Sequence, residues 1–522
     1  MIALSLNQNY RQMKKTIVMY GLLLSSFALP VVVFAQHGKT EVASNQAQLA
    51  KLKAAVEANP GSLSVHEAYT KAVGIEDPKL EAQYDLWMNK FPKSAMVPYG
   101  IAKAYLNQES PKAKPYLLKA VAIDPKFTDA WGGLWIDGER WGDFNASRGY
   151  LAKATESDPS NPNYAFYYAS SFQNIDEAKW KQMSLDVAKK FPNDERGAQA
   201  LYWLGVRSKK LADKLEIFEL LRNSFAPSKF GWSSGGMSSY YTVLLSEKPE
   251  KAVILAQEMA KTEKEEKKQW PDMVLQAQIV AKAKALLDQK KGAEAMDVLK
   301  QLKLSRYSDF KTDLALLKAK ADDIAGNTIG AYDSLIVAFA KTPSTSLRTA
   351  IAGFAEKLGK KPDQADADIW TRLNAGAQIA TPFNGLKRYL TTGEASLADY
   401  KGKVVLLTYW FPGCGPCRGE FPHFENVVRK FKGQNLEYLG INIVSKQNDY
   451  VVPFMKGSGY SFTPLEDQKD RLKGNLDNRG AAPVNFLIDK EGRLIFSNFR
   501  TDGDSEDDLE LMIKILMNSK KD

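Results

Sequence analysis

Two cysteines, Cys414 and Cys417, are the only thiols in the 522 residues, and two residues separate them. A loop this short stabilises a fold little when it is closed by a disulfide, and the pair cannot join distant segments. Structural zinc needs about four ligands. The only histidines are scattered: His37, His66 and His423. The pair therefore indicates redox chemistry, in which Cys417 resolves a mixed disulfide formed on Cys414.

The surrounding pattern predicts that Cys414 lies at the N-terminus of a helix. The apolar run from Lys403 to Tyr409 is typical of a strand buried on both faces. Apolar residues then recur at helical spacing: Phe421, Phe424, Val427, Val428 and Phe431. The helix dipole and free backbone N–H groups would lower the pKa of the Cys414 thiol. Pro416 suits the first turn, where its missing N–H costs no hydrogen bond.

The rest of this region alternates strands and helices, and we expect an α/β domain over residues 377–522. Leu436 to Val444 is predicted as a second strand, and Pro453 to Gly457 closes a short helix. A hairpin is expected from Val484–Ile488 and Leu494–Phe496, and a last helix over Leu509–Met517. This order suits one central sheet covered by helices.

Residues 36–376 are rich in Ala, Leu and Lys and are predicted to be entirely helical. Five prolines recur at intervals of 32, 33, 34 and 33 residues: Pro60, Pro92, Pro125, Pro159 and Pro192. Such a period indicates stacked supersecondary units. The Gly- and Ser-rich segment from Phe225 to Met237 interrupts the rhythm, and we expect a long loop there.

The periodic region resembles the tetratricopeptide repeat family. Trp131 and Leu134 hold the W-x2-L places of one unit, and Leu151, Ala154 and Pro159 follow near its end. The resemblance implies an all-α solenoid of helix pairs, which makes the chain a multidomain protein with the α/β domain last. Its aromatic residues are interpreted as packing between helices, and a concave groove for an unknown partner is the alternative.

The chain begins with a predicted signal peptide over residues 1–35. Arg11, Lys14 and Lys15 precede the apolar run Thr16 to Ala35, and small residues suit cleavage after Ala35. An uncleaved membrane anchor is the alternative, because the run approaches the length needed to span a bilayer. The protein is therefore expected in the periplasm or cell envelope.

The net charge of +10 does not indicate a nucleic-acid partner. Lysines alternate with carboxylates, as in the segment KTEKEEKK over residues 261–268, which is typical of solvated helix faces. The composition, 44% hydrophobic and 25% charged, is that of a folded protein.

The segment from Trp410 to Pro422, WFPGCGPCRGEFP, resembles the TlpA and ResA branch of the thioredoxin family. The likeness extends over about 140 residues and implies a thioredoxin-like fold without metal or bound cofactor. It also implies that Cys414 is the exposed nucleophile and Cys417 the buried resolving thiol. Pro483 falls where the family has a cis-proline facing the disulfide, and Trp410 opens the motif as a supporting residue.

Glu420 matches the acidic residue of that family, which exchanges a proton with the second cysteine; a helix-surface position is the alternative. His423 is expected on the helix surface. Thr408 stands where thioredoxin has a buried Asp, and Gly413 replaces the Trp that often precedes the first cysteine in this family. Because Thr408 cannot act as a base, this role is assigned to Glu420. Because Gly413 lacks an aromatic ring, we expect the substrate to dock less tightly than in family members with Trp.

Taken together, these features predict an exported enzyme that reduces disulfides in other exported proteins, apocytochromes c among them. The family resemblance implies a membrane thiol donor that returns electrons to the pair. A peroxiredoxin-like peroxidase is one alternative, although Phe411 holds the place of the threonine that activates the cysteine in that family. A repeat scaffold with a vestigial redox domain is the other.

Overall fold

The computed structural model describes residues 34–262, 269–305, 308–468, 474–477 and 480–519. The predicted signal peptide lies outside these residues except for its last two positions. Among the helices that are described, none combines the length and the apolar character needed to cross a membrane.

The described residues between 34 and 376 form nineteen α-helices and no strand, which confirms the all-helical prediction. Their bounds are α1 (Phe34–Ala58), α2 (Leu63–Val73), α3 (Pro78–Lys90), α4 (Met96–Asn107), α5 (Ala113–Ile123), α6 (Thr128–Arg140), α7 (Phe144–Ser157), α8 (Pro162–Ser170), α9 (Glu177–Lys190), α10 (Glu195–Arg207), α11 (Leu211–Ser224), α12 (Gly231–Glu247), α13 (Pro249–Thr262), α14 (Gln269–Asp288), α15 (Gly292–Lys300), α16 (Lys311–Ile324), α17 (Thr328–Lys341), α18 (Thr345–Lys357) and α19 (Pro362–Gly376).

The periodic prolines lie in the turns that follow every second helix, after α1, α3, α5, α7 and α9. Polar contacts also join residues one period apart. Lys90 donates to Glu57 at 2.7 Å, Lys112 donates to Glu81 at 2.7 Å, and Arg196 donates to Asn163 at 2.8 Å. In each of these cases, two neighbouring helix pairs of the same unit contact each other. Membership of the tetratricopeptide family stays a prediction.

The expected loop over Phe225–Met237 is wrong in its second half, because α12 begins at Gly231. Glu195, at the start of α10, accepts hydrogen bonds from the backbone N–H groups of Gly231 at 2.7 Å and Trp232 at 3.3 Å. These are groups that a helix N-terminus leaves without an internal partner. A β-carbon on Gly236 would lie 2.5 Å from Leu221 Cδ2, so the glycine allows α11 and α12 to pack closely.

The chain divides into two compact units. The first comprises the described residues up to 139 together with 149–157. Its core is aromatic: the ring of Trp87 lies 4.7 Å from that of Tyr69 and 5.1 Å from that of Tyr84. The second comprises residues 140–148 and those from 158 onwards, and it contains every strand described. The domain limits predicted from the sequence stay predictions.

After α19 the second unit forms a six-stranded sheet in the order β1-β8-β7-β4-β5-β6. Its strands are β1 (Gln378–Ile379), β4 (Val404–Trp410), β5 (Leu436–Asn442), β6 (Thr463–Glu466), β7 (Val484–Ile488) and β8 (Arg493–Ser497), and β2 (Leu386–Lys387) pairs with β3 (Glu394–Ala395) beside it. Strand β4 is parallel to β5 and antiparallel to β7, and every residue of β4 is buried. The helices are α20 (Gly415–Lys430), α21 (Asn448–Ser458) and α22 (Glu506–Asn518). The predicted α/β fold is confirmed.

Candidate active site

Cys414 is the N-cap residue of α20, directly after the loop that leaves β4. Its backbone is extended, with φ −75° and ψ 98°, and its Sγ accepts a hydrogen bond from the backbone N–H of Cys417 at 3.2 Å. A sulfur in this position faces unpaired donors and the positive end of the helix dipole. Both effects stabilise a thiolate on Cys414 once the pair is reduced.

The two cysteines are joined by a disulfide, with their Cα atoms 5.3 Å apart. The expectation of an exposed Cys414 is wrong for this oxidised state, since Cys414 is only 2% exposed and Cys417 is fully buried. The reason is that the Cys414 sulfur is bonded to Cys417, inside the hydrophobic core. The neighbouring residues Gly413, Gly415 and Pro416 are exposed, so the motif itself lies at the surface.

Trp410, the last residue of β4, is fully buried beneath the motif. Its ring lies 5.0 Å from Phe462, 5.3 Å from Phe454 and 5.5 Å from Phe421. Aromatic pairs at these separations contribute packing energy beyond simple burial. Trp410 therefore anchors the end of β4 and the start of α20 on the core, and its ring is not accessible to solvent.

Pro483 lies next to the motif because β7 pairs with β4. Val484 is opposite Tyr409 in the register, so Pro483 sits one position further toward the loop of the cysteines. The Ala482–Pro483 peptide bond is cis, as the family resemblance implied. Ala482 packs against the hydrophobic cluster that contains both cysteines.

Glu420 follows Cys417 by three residues on α20, a spacing that places both on one side of the helix. The structure buries it to 7% exposure, which excludes the helix-surface alternative. One carboxylate oxygen accepts from Asn485 Nδ2 at 2.9 Å, and the other lies 3.3 Å from Arg500 Nη1. Burial raises the pKa of Glu420, while the Asn485 hydrogen bond and the Arg500 charge oppose this rise.

Asn485 is a site residue that the sequence did not reveal. Its side chain is fully buried and makes three hydrogen bonds. Nδ2 donates to Glu420 at 2.9 Å and to the carbonyl oxygen of Phe499 at 2.9 Å, and Oδ1 accepts from the Thr408 hydroxyl at 3.0 Å. The orientation of the amide is therefore fixed, because both its nitrogen and its oxygen are hydrogen-bonded. An asparagine inside a strand that is otherwise apolar was the signal that could have identified it.

The expectation that His423 lies on the helix surface is also wrong, since it is 8% exposed. Its Nδ1 lies 2.6 Å from Glu506 Oε1, and Asn426 donates to the same oxygen at 3.0 Å. The reason is that α22 packs against α20, and its acidic first turn faces these residues. The periodicity of α20 alone could not show which of its polar residues the later helix would cover.

Comparison with known proteins agrees with this geometry. Residues 378–497 match the family model described as AhpC/TSA family. The chain is 35% identical over 119 residues to the thiol-disulfide oxidoreductase ResA of Geobacillus kaustophilus, covering 22% of this chain and 67% of that protein. ResA of Bacillus subtilis is 36% identical over 99 residues, covering 19% and 54%. ResA of Geobacillus thermodenitrificans is 30% identical over 128 residues, covering 24% and 72%.

One similar solved structure is described as a putative thiol:disulfide interchange protein DsbE from Chlorobium tepidum. It is 27% identical, with a TM-score of 0.25, and the match covers 27% of this chain and 97% of that one.

The strand, the cysteine pair at a helix N-terminus and the adjacent cis-proline define a thioredoxin-like thiol–disulfide oxidoreductase. The chain belongs to the ResA family of these enzymes. The curated matches reported above cover less than a quarter of its length.

Proposed function

We propose that this protein is exported and reduces disulfides in other exported proteins through Cys414 and Cys417. The observation that carries the proposal is the cysteine pair at the start of α20, with the buried carboxyl of Glu420 one turn behind it. Export is supported by the basic residues and apolar run that precede position 35.

The reaction begins with the reduced pair. The Cys414 thiolate attacks one sulfur of the substrate disulfide, forms a mixed disulfide and releases the other substrate sulfur as a thiolate. Cys417 then loses its proton to the Glu420 carboxylate and attacks Cys414 Sγ. This step breaks the mixed disulfide, releases the second substrate sulfur and leaves Cys414 bonded to Cys417. The substrate gains two electrons, and the enzyme pair loses two.

The Gly-Pro spacer favours the reducing direction. Reducing and strongly oxidising pairs of the thioredoxin type differ by about 150 mV, which is roughly 7 kcal/mol for two electrons. A reductant in an oxidising compartment has to be re-reduced, so the proposal includes a thiol donor at the membrane. Disulfide-containing exported proteins, apocytochromes c among them, are the proposed substrates.

Trapping tests the proposal directly. In a Cys417→Ser variant, Cys414 can still attack but no second thiol resolves the adduct, so mixed disulfides should accumulate in cell-envelope extracts and disappear with dithiothreitol. The Cys414→Ser variant is the matched control and should trap nothing. If the Cys417→Ser variant gave no adducts, the proposed reaction would be refuted.

A peroxidase is the second candidate, favoured by the AhpC/TSA match and by the segment from Phe411 to Cys414. Consumption of peroxide by the reduced, purified protein would support it. The scaffold alternative predicts that a Cys414→Ser chain still complements a deletion strain.

A further inference from the structure

A cleft of about 390 Å³ lies within the second unit, between α20 and the helices that precede the sheet. We call it the α20 cleft. One wall consists of α20 and the segment before α22, and the other consists of the α8–α9 and α10–α11 connections. Representative lining residues are Gln173, Ile175, Arg207, Gly419, His423 and Asp504.

The α20 cleft starts close to the cysteine pair. Its α20 wall is formed by Gly419, His423 and Asn426, whose spacing of four and three residues places them on one face of the helix. One turn earlier on the same face is Gly415, which is exposed and directly follows Cys414. Four residues of helix span roughly 6 Å, a length covered by about two residues of extended peptide. The exposed Gly415 of the motif is therefore within about two residues of extended peptide from the cleft.

Direct contacts join the helices of the second unit to the sheet domain, beside the cleft at α11 and also at the turn between α6 and α7. Lys214 and Asp504 form an ion pair at 2.7 Å. The Trp141 ring lies 4.4 Å from that of Tyr450 on α21. Gly142 adopts φ +73°, and a β-carbon there would lie 2.7 Å from the carbonyl oxygen of Phe454. The helical residues are thus part of the surface around the active site, and not a separate module on a linker.

The chemistry of the cleft suits a polypeptide. Ile175 is 61% exposed at its rim, which leaves an apolar contact available. Side-chain amides of Gln173 and Asn174 lie beside it. The cleft is also lined by four carboxylates and two cations; the residues are Glu177, Asp502, Asp504, Glu506, Arg207 and Lys209. Lys214 neutralises Asp504, and the remaining excess of one negative charge favours a basic side chain in the occupant.

We propose that the α20 cleft binds the extended segment beside the substrate disulfide, and that it prefers a segment with an apolar and a basic residue near the cysteine. The inference rests on the proposed function, because it assigns a substrate class to the same reaction. It gives the helical region a role in selecting protein substrates.

The test compares two substrates on the full-length chain. One is a synthetic 12-residue peptide with an internal disulfide flanked by Leu and Arg, and the other is the small disulfide 5,5′-dithiobis(2-nitrobenzoate). Ile175→Ser should lower kcat/KM for the peptide by about fivefold, since one partly buried aliphatic contact is lost. It should leave the rate with the small disulfide unchanged. Replacing Arg by Glu in the peptide should lower kcat/KM for the wild-type protein.

Ile329→Ser is the matched control, because Ile329 is an isoleucine of similar exposure, 64%, outside the lining of the cleft. If the wild-type protein reduced neither disulfide, the proposed function itself would fail. The cleft proposal alone would be overturned if the wild-type protein reduced both disulfides, Ile175→Ser and Ile329→Ser both matched it with the Arg peptide, and the Glu peptide reacted as fast as the Arg peptide.

Discussion

Replacing Asn485 by Ala should raise the pKa of Glu420. The amide N–H that Asn485 donates to the Glu420 carboxylate at 2.9 Å stabilises the charged form of a group that burial already disfavours. A hydrogen bond to a charged group contributes about 1.5–3 kcal/mol. Because one pKa unit corresponds to about 1.4 kcal/mol, its loss should raise the pKa by about 1–2 units.

The consequence is that the pH dependence of mixed-disulfide resolution moves to higher pH. Glu420 has to be ionised to take the proton from Cys417, so resolution of the mixed disulfide should slow as pH falls through the pKa of Glu420. In Asn485→Ala this acid limb should shift to higher pH by about 1–2 units. The assay forms a mixed disulfide on Cys414 and follows release of its partner by stopped flow across a pH series.

Two variants control the experiment. Thr408→Val removes the hydroxyl that donates to Asn485 at 3.0 Å and leaves the Asn485–Glu420 hydrogen bond in place, so its acid limb should stay near that of the wild type. Glu420→Gln should abolish the limb. An Asn485→Ala profile superimposable on the wild type would refute the reasoning, provided that circular dichroism shows the variant to be folded.

Two further predictions concern the helical region. His66 is fully buried, and burial lowers its pKa, while the hydrogen bond between Nε2 and the carbonyl oxygen of Pro60 at 3.0 Å opposes this decrease. Below about pH 6.5 the unfolded chain therefore binds a proton at His66 that the folded chain does not. The free energy of unfolding, measured by urea titration, should fall as the pH drops below this value. His66→Phe should weaken this dependence on pH. In α12, Gly236→Ala should lower the melting temperature, because its β-carbon would lie 2.5 Å from Leu221 Cδ2. Gly235→Ala meets nothing within 4 Å and should stabilise the helix by about 0.5–1 kcal/mol, and the opposite order of melting temperatures would contradict this account.

The sequence alone determined the local features of the protein. Apolar periodicity located β4, β5 and β7 within two residues of their observed ends, and it covered α20 from Phe421 to its C-terminus. It also placed Cys414 at the start of a helix, because a strand, a short loop and an amphipathic helix are all read from neighbouring residues. The proline period likewise anticipated the helix pairs. Short strands such as β1 and β6 were not predicted, because two to four residues are too few to show an alternation of apolar and polar positions.

Only the tertiary structure decided which distant residues meet. Asn485 reaches Glu420 across 65 positions, and Glu195 caps α12 across 36. The burial of Cys414 and His423 likewise depends on the disulfide and on packing by α22. Periodicity reports which face of an element is apolar, whereas the partner of a buried polar group is chosen by the packing of the whole chain. For that reason the sequence identified the reactive pair, and only the fold showed that Asn485 binds Glu420 and that a cleft lies along α20.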